Sequence, residues 1–326
     1  MRVLITGGAG FIGSHLVDHY LALGHEVVVV DDLSTGSLGN LAHHVTSRPR
    51  VVVGRVEDEG IIDAAMDGGI DLVFHLAAAV GVFEVLKRPL DALHTNLAAS
   101  DTVFKRAARD GIRTVFTSTS EVYGKNDADA LRETDDSVFG PTSFSRWLYA
   151  LSKATDEIMA LAYAREHGLR VTIVRLFNTT GPRQSGSYGM VVPRLVQQAL
   201  SGEPMTVFGD GSQTRCFTNV FDVVRALTML SETPAAIGKI VNVGQPREIA
   251  ITDLAELVRA ACQSESRIDL IDYSIAYGAG FEDMRRRVPD VAMLGKLIGY
   301  VPSTPLDETI DQIIGAMRDV GKKGAA

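Results

Sequence analysis

Through the first half of the chain, short apolar runs alternate with longer amphipathic stretches. Near-continuous β-branched and apolar runs at 3–6, 27–30, 51–53, 72–75, 114–118 and 171–175 read as strands. Stretches at 11–23, 61–66, 89–109 and 146–167 carry apolar residues every three or four positions and read as helices between them. Strands apolar at nearly every position, each followed by a helix, predict a parallel sheet buried on both faces, because the helical crossovers cover its two sides. Six in succession predict an α/β fold with a doubly wound sheet. Beyond residue 176 the rhythm changes. Gly181, Pro182, Gly202, Pro204, Gly209 and Gly211 crowd the chain, and helices are expected near 191–201, 222–230 and 252–262. A first domain over 1–176 is expected, with 216–243 returning to it and a smaller α/β lobe from 177–215 and 244–320.

At 326 residues, with 46% apolar and 22% charged side chains, the chain has the makeup of a globular protein and not of a disordered one. A net charge of −8 argues against nonspecific nucleic-acid binding but leaves room for a local basic pocket around a small anion. No apolar run approaches the roughly 18 residues of a spanning helix. Met1 leads straight into Arg2-Val3-Leu4-Ile5-Thr6 without the apolar core of a signal peptide. A cytoplasmic protein with no nucleic-acid or membrane partner is expected. Cys216 and Cys262 match no disulfide framework or metal-ligand spacing and read as reduced, structural residues, with no metal.

The glycines carry the first chemical signal. Gly7-Gly8-Ala9-Gly10-Phe11-Ile12-Gly13 follows a strand and opens a helix. Glycines there permit a tight turn and close backbone approach, and the helix N-terminus offers free N–H groups to a pyrophosphate, as in a Rossmann loop. The second strand runs into Asp31, whose carboxylate would accept both ribose hydroxyls of adenosine and repel a 2′-phosphate, which favours NAD over NADP. Asp32 is a second candidate that equally suits a turn.

Tyr149 and Lys153 stand four apart on a predicted helix and share a face. An ammonium beside a phenol favours the phenolate and suits a tyrosine base. The strand at 114–118 runs into Thr119-Ser120-Glu121-Val122-Tyr123-Gly124, hydroxyl-bearing residues at the strand end where such sheets bind ligands.

Together these features resemble the extended short-chain dehydrogenase/reductase family, in particular its nucleotide-sugar epimerases, dehydratases and decarboxylases. The resemblance covers nearly the whole chain. It includes His75-Leu76-Ala77-Ala78, Asn96, the 119–124 motif, Tyr149/Lys153, Arg175-Leu176-Phe177-Asn178, Gly181-Pro182-Arg183, Val191-Val192-Pro193-Arg194, Gly209-Asp210-Gly211, Arg215, Asp222 and Arg287-Val288-Pro289-Asp290. It implies NAD held by Gly7, Gly10, Phe11, Ile12, Gly13, Asp31, Asp32, Leu76, Ala77, Ala78, Asn96, Tyr149 and Lys153. One departure stands out. Relatives carry Gly-Asp-hydrophobic after the third strand, with the Asp on adenine, whereas this chain has Gly54-Arg55-Val56 and leaves that contact to Asp58 or to backbone groups.

In that family NAD takes hydride from C4 of the sugar while the tyrosine takes the 4-hydroxyl proton. Dehydratases carry Thr-Asp-Glu; Ser120 replaces the Asp here, and serine is a poor acid for eliminating water. Simple 4-epimerases usually lack an acidic residue in the triplet, yet Glu121 is present. Thr119-Ser120-Glu121 resembles the triplet of the UDP-glucuronate decarboxylases, which implies UDP-glucuronate as substrate and UDP-xylose or a UDP-4-keto-pentose as product. A UDP-glucuronate or UDP-glucose 4-epimerase is the alternative. The chemistry fits: oxidation at C4 of a glucuronate gives a β-keto acid that loses CO₂ through an enolate. Thr119 and Ser120 are expected at the 4-oxygen and carboxylate. Glu121 is expected at the carboxylate or at a protonating water, provided it is protonated or rotated away. Arg183 and Arg287 are both expected as candidate carboxylate partners, and the resemblance gives Arg287 the further roles of proton donor or diphosphate ligand. A catalytically dead dinucleotide sensor on the same fold is disfavoured because Tyr149 and Lys153 are both retained.

Asn178, Arg194 and Arg215 are expected at the diphosphate, although Asn178 also suits capping of backbone groups and Arg194 a solvated helix surface. Val192 falls in the adjoining motif, and Val207 and Phe208 are expected at the apolar edge of a uracil slot. Tyr277 begins Tyr277-Gly278-Ala279-Gly280-Phe281, similar to a run that precedes the arginine in a 4-keto-pentose-forming decarboxylase, with Phe281 in place of tyrosine. The helices at 89–109 and 146–167 carry apolar residues beyond one stripe (Leu93, Leu97, Phe104; Leu148, Ile158, Leu161), and the matching helices of relatives form a dimer interface, so a homodimer is expected.

Overall fold

Val3, Leu4 and Ile5 have no exposed surface, as a strand covered on both faces requires. The computed structural model of the chain describes residues 1–79, 88–186, 189–273, 275 and 284–324. The three residues lie in β1 (Arg2–Thr6), followed in chain order by β2 (Glu26–Asp31), β3 (Arg50–Val53), β4 (Leu72–His75), β5 (Arg113–Thr119), β6 (Arg170–Leu176) and β7 (Ile240–Val243). These strands form one parallel sheet in the order β7-β6-β5-β4-β1-β2-β3, with Val3 paired to Val27 on one side and Leu72 on the other. The chain leaves β1 toward β2 and β3, then crosses to begin again at β4. The loops after β1 and β4 therefore part company and leave a crevice at the carboxyl ends of the strands.

The helices are α1 (Phe11–Ala22), α2 (Glu59–Met66), α3 (Pro89–Arg109), α4 (Leu148–His167), α5 (Val191–Ser201), α6 (Val220–Glu232), α7 (Ile251–Cys262), α8 (Ala292–Ile298) and α9 (Leu306–Gly324). One face of the sheet is covered by α1, α6 and α8 through Leu16, Tyr20, Leu227 and Leu294. The other is covered by α2, α3 and α4 through Ile62, Val103, Phe104 and Ala160. Withdrawing each large apolar side chain from water contributes about 1.5–3 kcal/mol, so both faces are firmly held. A separate core packs α5, α7 and α9 together through Leu195, Leu254, Val258 and Ile310. Beside it Met205–Phe208 pairs in parallel with Ile268–Ile271, and Thr214–Cys216 pairs antiparallel with Glu248–Ala250.

Three features differ from the hydrophobic pattern. β7 is a seventh strand whose apolar run is interrupted by the polar Asn242, so the pattern does not reveal it. Asn242 is buried because its amide accepts from Tyr123 Oη at 2.7 Å and donates to the Leu131 carbonyl at 2.8 Å. α8, inside the stretch expected in the smaller lobe, packs instead beneath the sheet with α6. α4 begins at Leu148 after a separate 3-10 turn, Ser145–Trp147.

Candidate active site

The loop from β1 into α1 is built for close approach. Gly7 sits at φ +72°, and a Cβ on Gly13 would lie 2.1 Å from the Gly7 carbonyl oxygen. Gly10 occupies the N-cap with no side-chain cap, and the first turn of α1 holds no acidic residue. That turn therefore adds no negative charge of its own where a helix N-terminus can meet a pyrophosphate. Asp31, at the end of β2, accepts from the amides of Ala9 and Leu33, both at 2.9 Å. Burial pushes its carboxyl up, against the pull of those two amides. Asp32 turns away: its Oδ1 accepts from the amide and hydroxyl of Ser34, so it is the turn residue of the pair. At the departure after β3, Arg55 donates to Thr95 Oγ1 at 2.8 Å and pairs with Glu57. Asp58 caps α2 by accepting from the Gly60 amide at 2.9 Å. Both side chains are exposed and already engaged.

The loop after β4 closes the other side. The Leu76 amide donates to the Thr6 carbonyl, and the Ala77 amide to Thr6 Oγ1, each at 3.2 Å. Ala78 continues the loop, half-buried. Asn96 is buried and acts as a brace: it accepts from the Ala79 amide at 2.7 Å and donates to Ser152 Oγ at 3.2 Å. This ties the loop through α3 to α4.

Tyr149 and Lys153 lie in the first turns of α4. Lys153 is 2% exposed; its Nζ is 3.3 Å from Asp156 Oδ2 and 4.0 Å from the ring centroid of Phe116. Burial lowers the lysine pKa, and the Asp156 charge opposes that shift. For Tyr149, burial raises the pKa and the negative charges of Glu121 and Asp156 raise it further, so the chain alone holds a protonated phenol. The helix is anchored from below by Glu157, whose carboxylate takes Arg175 of β6 at 2.8 Å and the hydroxyl of Ser118 at the end of β5.

The turn after β5 brings the triplet beside this helix. Thr119 Oγ1 accepts from the Glu121 amide at 3.2 Å, while Ser120 is buried and accepts from Arg287 Nη1 at 3.2 Å. Glu121 is clamped: Oε1 receives Arg287 Nη1 at 2.6 Å and Oε2 receives Arg146 Nη1 at 2.5 Å. Burial alone would raise its pKa, but the two guanidiniums win and hold it well below the carboxylate range. The sequence reading made the role of Glu121 conditional on its being protonated or rotated; in the fold its carboxylate is paired on both oxygens, which favours the ionised form. Arg146 was not foreseen. It sits in the separate turn before α4, and nothing in its local sequence points to Glu121, twenty-five residues earlier.

The second lobe places its candidates unequally. Arg183, at φ +68°, pairs at 2.7 Å with Asp18 of α1 and not with the triplet. The other oxygen of Asp18 takes His43 and His44, the one group among the described residues with metal-ligand proximity. Val192 and Val207 have essentially no exposure and belong to the lobe's core, which removes Val207 from the edge of a base slot. Phe208 is half-buried beneath the guanidinium of Arg194, 3.9 Å from its ring centroid, and Arg194 also donates to the Thr206 carbonyl. Arg194 is thus a stacked side chain and not a solvated one. Asn178 donates to the Cys216 carbonyl at 3.0 Å. Arg215, buried, donates to the Thr214 carbonyl at 2.7 Å. Tyr277, with the run through Phe281, lies outside the described residues.

Among the described residues no helix is long and apolar enough to cross a membrane. Residues 3–244 match the model of the NAD dependent epimerase/dehydratase family. The UDP-N-acetyl-alpha-D-glucosaminuronate decarboxylase of Bacillus cytotoxicus is 36% identical over 98% of this chain and 98% of its own length. UDP-glucuronic acid decarboxylase 1 of Danio rerio is 34% identical over 96% of this chain and 72% of its own. Among solved structures, the UDP-glucose 4-epimerase of Thermotoga maritima, with UDP-glucose, superposes with a TM-score of 0.89 at 28% identity, over 98% of this chain and 99% of that one. A glycine loop with an unopposed helix terminus, a carboxylate at the end of β2 and a Tyr/Lys helix over the sheet are what such a match demands, and on both grounds the chain belongs to the NAD dependent epimerase/dehydratase family.

Proposed function

We propose that the protein decarboxylates UDP-glucuronate in an NAD-dependent reaction that passes through a 4-keto sugar. The observation that carries this reading is the pairing of Arg287 with both Ser120 and Glu121, which supports a role for Arg287 as the cation that would receive a uronate carboxylate. The two decarboxylase relatives support it.

Gly7, Gly10, Phe11, Ile12 and Gly13 would hold the pyrophosphate of NAD, Asp31 its adenosine ribose, and Leu76, Ala77 and Ala78 the opposite wall. When bound, NAD⁺ supplies the hydride acceptor for C4 of the sugar. Tyr149 takes the 4-hydroxyl proton, and Lys153 keeps a positive charge beside it, which opposes the burial that favours the neutral phenol. Thr119 and Ser120 hold the 4-oxygen and the carboxylate, and Arg287 neutralises the latter. Once C4 is a ketone, the carboxylate lies β to it, and the C5–C6 bond breaks with its electrons passing into the enolate. Protonation at C5 then gives the UDP-4-keto-pentose; if the 4-ketone were reduced again before release, Tyr149 would return the proton to the 4-oxygen and the product would be UDP-xylose. Asn178, Arg194 and Arg215 would face the diphosphate, with Phe208 under the base.

In this reading 1–176 with 216–243 forms the cofactor lobe and most of the remainder the substrate lobe. The protein works in the cytoplasm as a homodimer paired through α3 and α4.

The test is incubation with UDP-glucuronate and NAD⁺, with UDP-N-acetylglucosaminuronate in parallel. CO₂ and a UDP-pentose are expected from UDP-glucuronate. UDP-galacturonate without gas would instead establish the 4-epimerase reading, which the Thermotoga maritima neighbour favours. Tyr149→Phe should lower turnover by about 10²–10⁴-fold.

A further inference from the structure

Glu121 carries one arginine on each oxygen, and the two arginines are not equivalent. Arg287 is 6% exposed and its Nη1 reaches both Glu121 Oε1 at 2.6 Å and Ser120 Oγ at 3.2 Å. Arg146 is 8% exposed, comes from the turn before α4, and its Nη1 bonds Glu121 Oε2 at 2.5 Å. Its guanidinium also lies 5.5 Å from the ring centroid of Trp147, a fully buried side chain. Arg287 thus reaches into the triplet beyond Glu121, to Ser120.

A substrate carboxylate arriving at Ser120 meets an ionised Glu121 and a guanidinium already taken. Were Arg287 to turn to the newcomer with nothing else on Glu121, two carboxylates would compete for one cation in a buried site, which is strongly unfavourable. We infer that Arg146 is a positioning residue that retains Glu121 while the substrate carboxylate takes over Arg287. The exchange then replaces one carboxylate by another on Arg287, and Glu121 keeps its second ion pair throughout. This rests on the uronate reading above.

The exchange has a second consequence at Tyr149. The charged groups that act on that phenol are Glu121 from the turn after β5 and Asp156 on α4; Glu121 is paired in turn with Arg146 from the turn before α4 and Arg287 from the segment after residue 283, and Asp156 with Lys153. Without Arg146, Glu121 is a less compensated anion beside Tyr149 and disfavours the phenolate. Without the Glu121 charge, the phenolate is favoured. The two substitutions therefore act in opposite directions, which loss of packing alone would not produce.

The experiment compares the full-length enzyme with R146Q, R146K, E121Q and R146Q/E121Q. CO₂ release from UDP-glucuronate with NAD⁺ is followed across pH, with KM and kcat separated and melting recorded for each variant. R146Q should raise KM for UDP-glucuronate by about tenfold or more, because Glu121 then stays on Arg287, and should move the rate profile to higher pH. E121Q should move the profile to lower pH, and the double variant should recover both KM and profile toward those of the unmodified enzyme. R146K keeps the charge but loses the planar fork, so its profile should stay in place while KM rises. Should R146Q fail to fold, R146K carries the test, and an unchanged KM there overturns the exchange. So does an R146Q with unchanged KM and profile, or an R146Q defect that E121Q does not relieve. Absence of CO₂ from the unmodified enzyme overturns the uronate reading and the exchange with it; CO₂ from an enzyme indifferent to R146Q overturns the exchange alone.

Discussion

His75 ends β4 almost fully buried, stacked on Phe116, with Nδ1 hydrogen-bonded to Thr6 Oγ1 at 2.8 Å. Burial lowers its pKa from 6.5 to about 3, with the Lys153 charge adding to the shift. The folded protein thus keeps it neutral where the unfolded chain protonates it. The sign is fixed by linkage: the stability this neutral histidine supports is complete above pH 6.5 and drains away as pH falls toward about 3, because the unfolded state binds the extra proton. Melting temperatures over that window should fall more steeply for the unmodified protein than for His75→Gln. Equal slopes would show that His75 is not the titrating group. In the sequence, His75 was visible only as part of a motif. Its neutrality, like the ionised state of Glu121, comes from what surrounds it in three dimensions, since the same residue types titrate normally in water.

Elements were legible where a short stretch of chain dictates its own conformation. The glycine loop is the clearest case: Gly7, Gly10 and Gly13 are needed because the chain reverses within seven residues and the helix packs on the preceding turn. Gly13→Ala would force a Cβ to 2.1 Å from the Gly7 carbonyl, and a backbone atom cannot yield as a side chain can. The expected result is a loss of about 1–3 kcal/mol of stability and at least a tenfold weaker grip on NAD, read by calorimetric titration; unaltered NAD affinity would contradict the assignment of the loop. α4 was legible in its apolar repeat, but its start was not. Ser145–Trp147 forms its own turn, and that turn aims Arg146 at Glu121, twenty-five residues earlier in the chain. β7 escaped notice because the polar Asn242 interrupts its apolar run, whereas the equally short β3 and β4 each carry three apolar residues in succession.

At the scale of the molecule, α3 and α4 leave Leu90 67%, Leu151 36% and Ile158 68% exposed, while Phe104 is buried in the core. Leu151 and Ile158 lie seven apart and so on one face of α4. In the homodimer we propose, that face is covered by its copy. Light scattering should give twice the chain mass, and Ile158→Glu should halve it without loss of helical circular dichroism; a monomer before substitution would refute the arrangement.

The amino-acid sequence determined the doubly wound sheet, the cofactor loop, Asp31 and the Tyr149/Lys153 helix, because each is a local pattern in which spacing alone fixes geometry. Only the tertiary structure decided how the charges are shared. It drew Arg183 away to Asp18, buried Val207 and set Glu121 between Arg146 and Arg287. Ion pairs form between groups distant in the chain, and which partner each takes depends on the packing that brings them within a few ångströms, so no local pattern could announce it.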